Sequence, residues 1–184
     1  EQWAGAAVAG PKSREVLNEC VKDPLLITNE NFPFMGVIST FLKGKIPCRI
    51  ARISFSGELA FEVYIKSDFA NTMMDLLWEN AQKFNGCLYG LEALGALRVE
   101  KGHVTGAELD GRVTIDDAGL GKMASIKKSY IGSAMRKRGV LSADNRETLV
   151  GFFPTDLKET FNAGTIVCEK NNIKGQGIGR ITSV

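Results

Sequence analysis

Histidine occurs once in these 184 residues, cysteine only four times and never as a C-x-x-C pair, and no apolar run approaches the ~18 residues a membrane span requires. The single imidazole, His103, follows Lys101-Gly102 with no nucleophile motif beside it, which leaves a serine or cysteine triad almost nothing to be built from. Cys20, Cys48, Cys87 and Cys168 stand far apart, with no histidine near them. Zinc needs clustered ligands, so the spacing predicts four reduced core thiols in a cytoplasmic protein. Charge imbalance is lacking too: 23 basic residues face 21 acidic ones, a net +2 that marks the chain for neither nucleic acid nor membrane. The N-terminus does not read as a secretory leader. What is present is a globular composition, 44% apolar and 24% charged, long enough to bury one substantial core.

Trp3 to Ala9 reads as a strand stopped by Gly10-Pro11, with Pro11 suited to open a helix on which Val16, Leu17, Cys20 and Val21 share one face. Extended runs follow from Gly36 to Leu42 and Ile46 to Phe55, joined by Lys43-Gly44-Lys45, where glycine can take the positive φ of a tight turn. In a third run Leu59, Phe61, Val63 and Ile65 alternate with Ala60, Glu62 and Tyr64, so Glu62 points away from the apolar face. A helix is expected from Ser67-Asp68, with capping side chains, through Met73, Leu76, Leu77 and Asn80 to about Gly86. Cys87 to Val99 fits strand, helix or both. The order predicts an α+β fold close to a split β-α-β (ferredoxin-like) unit, with an antiparallel sheet and helices on one face.

From Gly102 to Gly121 glycine and acid dominate (Glu108, Asp110, Asp116, Asp117), which predicts a surface loop. Lys122 to Arg138 carries Lys122, Lys127, Lys128, Arg136, Lys137 and Arg138 without one acid, the pattern of a solvated face. Strands expected at Thr148 to Phe153, Thr165 to Glu169 and Gly177 to Val184 predict the start of a β-barrel module. Three segments result: residues 1–105 as the α+β domain, 106–140 as a connection and 141–184 as an incomplete barrel. Both ends read as cuts through structure. The glycines of Gly175-Gln176-Gly177-Ile178-Gly179 precede a strand, whereas a dinucleotide fingerprint follows one, so that reading is rejected.

Glu62 stands in mid-strand between Phe61 and Val63, either as an exposed carboxylate or as an acceptor lining a pocket. Its surroundings carry a family likeness. Ser56-Gly57-Glu58-Leu59-Ala60-Phe61-Glu62-Val63-Tyr64 resembles the glycine-cleavage T-protein motif Y-T-G-E-x-G-[FV]-E. Ala7-Val8-Ala9-Gly10-Pro11-Lys12-Ser13-Arg14, Gly90-Leu91-Glu92-Ala93-Leu94, Leu97-Arg98-Val99-Glu100-Lys101-Gly102 and Asp116-Asp117-Ala118-Gly119-Leu120-Gly121 are similar to other blocks of that aminomethyltransferase superfamily, in order. Within it, Tyr89 to Leu94, Leu97 to Gly102 and Asp110 to Gly119 look more like the C-terminal region of sarcosine oxidase alpha subunits.

The resemblance implies a tetrahydrofolate-binding region whose glutamate, Glu62 here, holds the pterin ring. A carboxylate offers two acceptor oxygens to the paired N–H donors on one pterin edge. It also implies folate contacts from Phe55, Tyr64 and Arg98, although a salt bridge from Arg98 to Glu92 or Glu100 is an equal reading. The family's aspartate beside folate N10 would precede Glu1, so no catalytic residue is assigned. The implied whole enzyme oxidises sarcosine, a small amine, and passes the one-carbon unit to tetrahydrofolate. FMN or FAD, NAD and other oxidase subunits belong to other parts of that complex. An aminomethyltransferase, a folate-dependent demethylase and a non-catalytic folate-binding relative are the alternatives. The chain departs from the T-protein pattern where Phe55 replaces tyrosine, Thr105 an aromatic and Lys122 the tryptophan of G-L-G-W, which puts direct transfer of the mechanism in doubt.

Overall fold

The computed structural model describes residues 2–156, 158–171, 175 and 177–184. Two compact units divide it, Glu1–Lys101 and Gly102–Val184.

The first unit is mixed α/β. Strands β1 (Trp3–Ala9), β2 (Val37–Leu42), β3 (Ile46–Ala51) and β4 (Ala60–Lys66) form one antiparallel sheet in the order β1-β4-β3-β2. β4 is inserted between β1 and β3, which run the same way. The connection between those two contains helix α1 (Ser13–Cys20) and also the whole of β2. Helices α1 and α2 (Ala70–Lys83) pack together on one face of this sheet.

Strand alternation decides which side chains meet them. Phe61, Val63 and Ile65 of β4, Cys48 and Ile50 of β3 and Leu42 of β2 are buried against Val16, Leu17, Cys20, Met73 and Leu77. Each such side chain contributes about 1.5–3 kcal/mol of burial. Phe32, from the segment before β2, stacks on Phe61 with ring centroids 5.9 Å apart. Asn80 is buried within the apolar stripe of α2, yet its Nδ2 donates to Leu76 O at 2.8 Å and its Oδ1 accepts from Lys83 Nζ at 2.8 Å. That satisfaction is what lets an amide sit there.

Several boundaries differ from expectation. Pro11 lies in the turn ahead of α1, whose N-cap is Lys12, because Gly10 adopts a φ of 119° and the chain needs two more residues to enter the helix. β3 ends at Ala51, although backbone pairing reaches one residue further through Arg52 N to Gly36 O, and the Arg52 guanidinium bonds Phe32 O. Ser67 and Asp68 form a 3-10 turn, and α2 starts after it with Phe69 at the N-cap and no side-chain cap. The predicted turn at Gly44 is present with φ 80°, followed by Lys45 at 62°. Cys20 and Cys48 are buried, but Cys87 is exposed just beyond the end of α2 and Cys168 is half-buried, so only two of the four thiols are core residues. Helix α3 (Leu91–Lys101) resolves the ambiguous stretch and buries none of its residues.

In the second unit the described residues contain a single two-residue ladder, Ile166–Val167 against Gly179–Arg180. The strand expected at Thr148 to Phe153 is not formed. Ala118 and Ile181 are the buried apolar side chains described there, beside the buried carboxylates Glu108 and Asp117.

Candidate functional site

The sheet face opposite α1 and α2 is open, and two cross-strand rows define it. Gly5, Tyr64, Arg49 and Ser39 form one, and Ala7, Glu62, Ala51 and Val37 the next. Glu62 is therefore half-buried between two alanines, Ala7 exposed and Ala51 buried, so space beside its carboxylate lies on the β1 side. Tyr64, two residues on and on the same face, donates its hydroxyl to Glu62 Oε2. That bond, then desolvation, then the charge of the carboxylate raise the Tyr64 phenol above its ordinary pKa.

The Tyr64 ring owes its place to a missing atom. A Cβ on Gly5 would stand 3.1 Å from both Cδ1 and Cε1 of the ring. Arg49 flanks the ring from β3 and stacks its guanidinium 4.8 Å from the centroid of Trp3. Two shallow grooves, about 380 and 270 Å³, lie at the Trp3 end of the sheet, and neither is lined by Glu62.

Of the residues nominated from sequence, the structure brings Glu62 and Tyr64 together. Phe55 lies in the loop between β3 and β4 and is 39% exposed. Arg98 is half-buried on α3. The loop and the helix nevertheless meet. Gly57, with φ 88°, packs against Lys101 so closely that a Cβ would fall 2.5 Å from Lys101 Cδ. Sequence reading missed Gly5, although the small residues at alternate positions of β1 (Gly5, Ala7, Ala9) were a signal that something bulky crosses that face. His103 is exposed after α3.

In the second unit the basic run is solvent-facing as expected at Lys122, Lys127, Lys128, Lys137 and Arg138, and the acidic loop is mostly at the surface, but Glu108, Asp117 and Arg136 depart from that pattern. Asp117 is buried, accepts from Thr114 N at 2.7 Å and pairs with Arg146 Nε at 2.9 and 3.0 Å. Arg136, from the basic run, holds Asp116 through Nε at 2.6 Å and Nη2 at 2.7 Å. Asp110 pairs with Arg112 and, at 3.1 Å, with Arg180. Glu108 accepts from Thr105 N at 2.8 Å and from the Ser183 hydroxyl. Opposite charges well separated along the chain neutralise one another, which linear charge counting cannot show. Among the described residues no cluster of His, Cys, Asp and Glu could hold a metal ion, and no helix is long and apolar enough to cross a membrane.

Residues 1–128 match the family described as the GCVT N-terminal domain. The sarcosine oxidase subunit alpha of Rhizobium meliloti is 39% identical over 92% of this chain, and that of Corynebacterium sp. (strain U-96) 34% over 97%. The chain covers 17% and 18% of those two proteins, less than a fifth of either. An aminomethyltransferase from Caldanaerobacter subterraneus is 24% identical over 90% of the chain, which spans 51% of it.

Proposed function

Because the chain belongs to the GCVT N-terminal domain family, we propose that it binds tetrahydrofolate, with Glu62 as the acceptor for the pterin ring and Phe55, Tyr64 and Arg98 around it. The observation that carries this reading is the setting of Glu62: a half-buried carboxylate on the open sheet face, flanked by Ala7 and Ala51 and tethered by Tyr64. A flat, donor-rich ring suits that set. Tyr64 engages one carboxylate oxygen, and a carboxylate retains capacity for further donors on both.

The protein carrying this chain acts as an oxidoreductase that demethylates sarcosine and hands the one-carbon unit to folate. Bound tetrahydrofolate supplies the nucleophilic nitrogens that accept that unit. This chain's residues bind and orient the ring, whereas flavin, NAD and the partner subunits engage other parts of a cytoplasmic complex. The identities to two sarcosine oxidase alpha subunits support this assignment. The lower identity to an aminomethyltransferase supports the second reading, transfer without oxidation. In this reading residues 1–105 are the folate-binding domain with split β-α-β character, 106–140 a connection and 141–184 the start of a barrel, for which the pairing of Ile166–Val167 with Gly179–Arg180 is support.

Calorimetric titration of the intact protein with tetrahydrofolate tests the binding claim. Glu62→Gln is expected to weaken binding by about 1.5–3 kcal/mol, the scale of a hydrogen bond to a charged group. An unchanged dissociation constant removes Glu62 from the site. Oxidation of sarcosine by the intact protein separates the oxidase from the transferase.

A further inference from the structure

We infer that Tyr64 is a positioning residue, which fixes the Glu62 carboxylate for its ligand through the phenol hydroxyl, and that Gly5 is the space that lets it do so. The inference rests on the folate reading of Glu62 and assigns Tyr64 its part in it.

The argument is geometric. Residues two apart on one strand share a face, so Tyr64 and Glu62 are neighbours by pleat alone. A tyrosine standing upright from β4 would direct its hydroxyl away from the sheet. Here the ring leans so that the hydroxyl reaches Glu62 Oε2. The lean passes over β1 at Gly5, the cross-strand partner of Tyr64, where a Cβ would meet two ring carbons at 3.1 Å. On the far side Arg49, the β3 partner, stacks its guanidinium on Trp3. Glu62 has no comparable support from its own cross-strand partners, because Ala7 and Ala51 carry only methyl groups. Tyr64 is the neighbour whose donor reaches it, whereas Arg49, another donor in the adjacent row of that face, is engaged with Trp3. A glutamate has three side-chain torsions, and a donor that fixes one oxygen removes most of that freedom before the ligand arrives. The raised phenol pKa agrees with a hydroxyl that keeps its proton to hold the carboxylate.

A double-mutant cycle in the intact protein, read by calorimetry with tetrahydrofolate, tests this. Tyr64→Phe keeps the ring and removes the hydroxyl, and it should weaken binding about threefold to tenfold. The same change made in Glu62→Ala should have no further effect, because nothing remains to position. Additive losses would mean that Tyr64 touches the ligand itself and would overturn the inference, as would full affinity in Tyr64→Phe. Gly5→Ala crowds two ring carbons at 3.1 Å and should weaken binding in the same direction as Tyr64→Phe, by no more than that variant does. A readout independent of ligand is the ultraviolet titration of the phenol, whose raised pKa should return towards the ordinary value in Glu62→Ala. No movement there refutes the contact. If Glu62→Ala itself binds folate normally, the folate reading fails, while the phenol titration still decides whether the Tyr64 contact exists.

Discussion

Lys101 lays its aliphatic chain across the Cα of Gly57, with Cδ 2.5 Å from the point a Cβ would occupy. The turn that precedes β4 and the last residue of α3 are joined at this contact, which matters because α3 buries none of its residues. Gly57 also holds a φ of 88°, a conformation costly for any side chain. Gly57→Ala is expected to cost about 1–3 kcal/mol, from backbone strain and displacement of Lys101 together. Urea unfolding of the variant checks this, and Lys101→Ala, which relieves the crowding alone, should recover part of the loss in the double variant.

The core was legible before any coordinates, because two periodicities suffice to find it: Val16, Leu17, Cys20 and Val21 at helical spacing, and Phe61, Val63 and Ile65 at strand spacing. So was the outward direction of Glu62. Its partner was not. Tyr64 was marked from the motif, but that its hydroxyl meets Glu62 depends on a lean permitted by Gly5, 59 residues earlier in the numbering of the same cross-strand pair. The ends of elements were lost for a related reason. Arg52 ties the end of β3 to the segment ahead of β2 through Phe32 O and Gly36 O, a contact between distant positions that local propensity does not contain. The pairing of Asp117 with Arg146 is of the same kind, at a separation of 29 residues.

That pair fixes a pH dependence. Its guanidinium, aided by Thr114 N against the cost of burial, pulls the Asp117 carboxyl down to about 2 from an ordinary 3.8. A lowered folded-state pKa stabilises where the carboxylate is ionised in both states, so the contribution is full above the unfolded value and fades as pH falls through the folded one. Asp117→Asn should cost about 1.5–3 kcal/mol at neutral pH, and its deficit against the parent should close on acidification towards pH 2. A deficit that is constant with pH would show that the charge is not what Arg146 holds.

Thiol reactivity should sort the cysteines by burial. Cys20 and Cys48 are buried, and desolvation pushes both thiols up to about 11. Thiolate is the reactive form, so both should resist a disulfide reagent until the protein unfolds. Cys87 is exposed and should react at once. Mass mapping of the modified peptides under native conditions gives the order, and early labelling of Cys20 would contradict the packing of α1 against α2.

Phe61 and Glu62 are adjacent in sequence and lie on opposite faces of β4, so stability and binding should separate between them. Phe61 is fully buried, stacks on Phe32 and carries the Arg14 guanidinium 5.0 Å from its ring centroid. Phe61→Ala removes a ring from a close-packed core and should cost about 3–5 kcal/mol. Glu62→Gln keeps the shape and an acceptor for Tyr64, and it should change stability by no more than about 0.5 kcal/mol, as substitutions away from the core usually do. Chemical denaturation and folate calorimetry on both variants make the comparison. A Glu62→Gln protein as destabilised as Phe61→Ala would mean that the open face of the sheet is part of the folding core, and the carboxylate would then be explained by structure without a ligand.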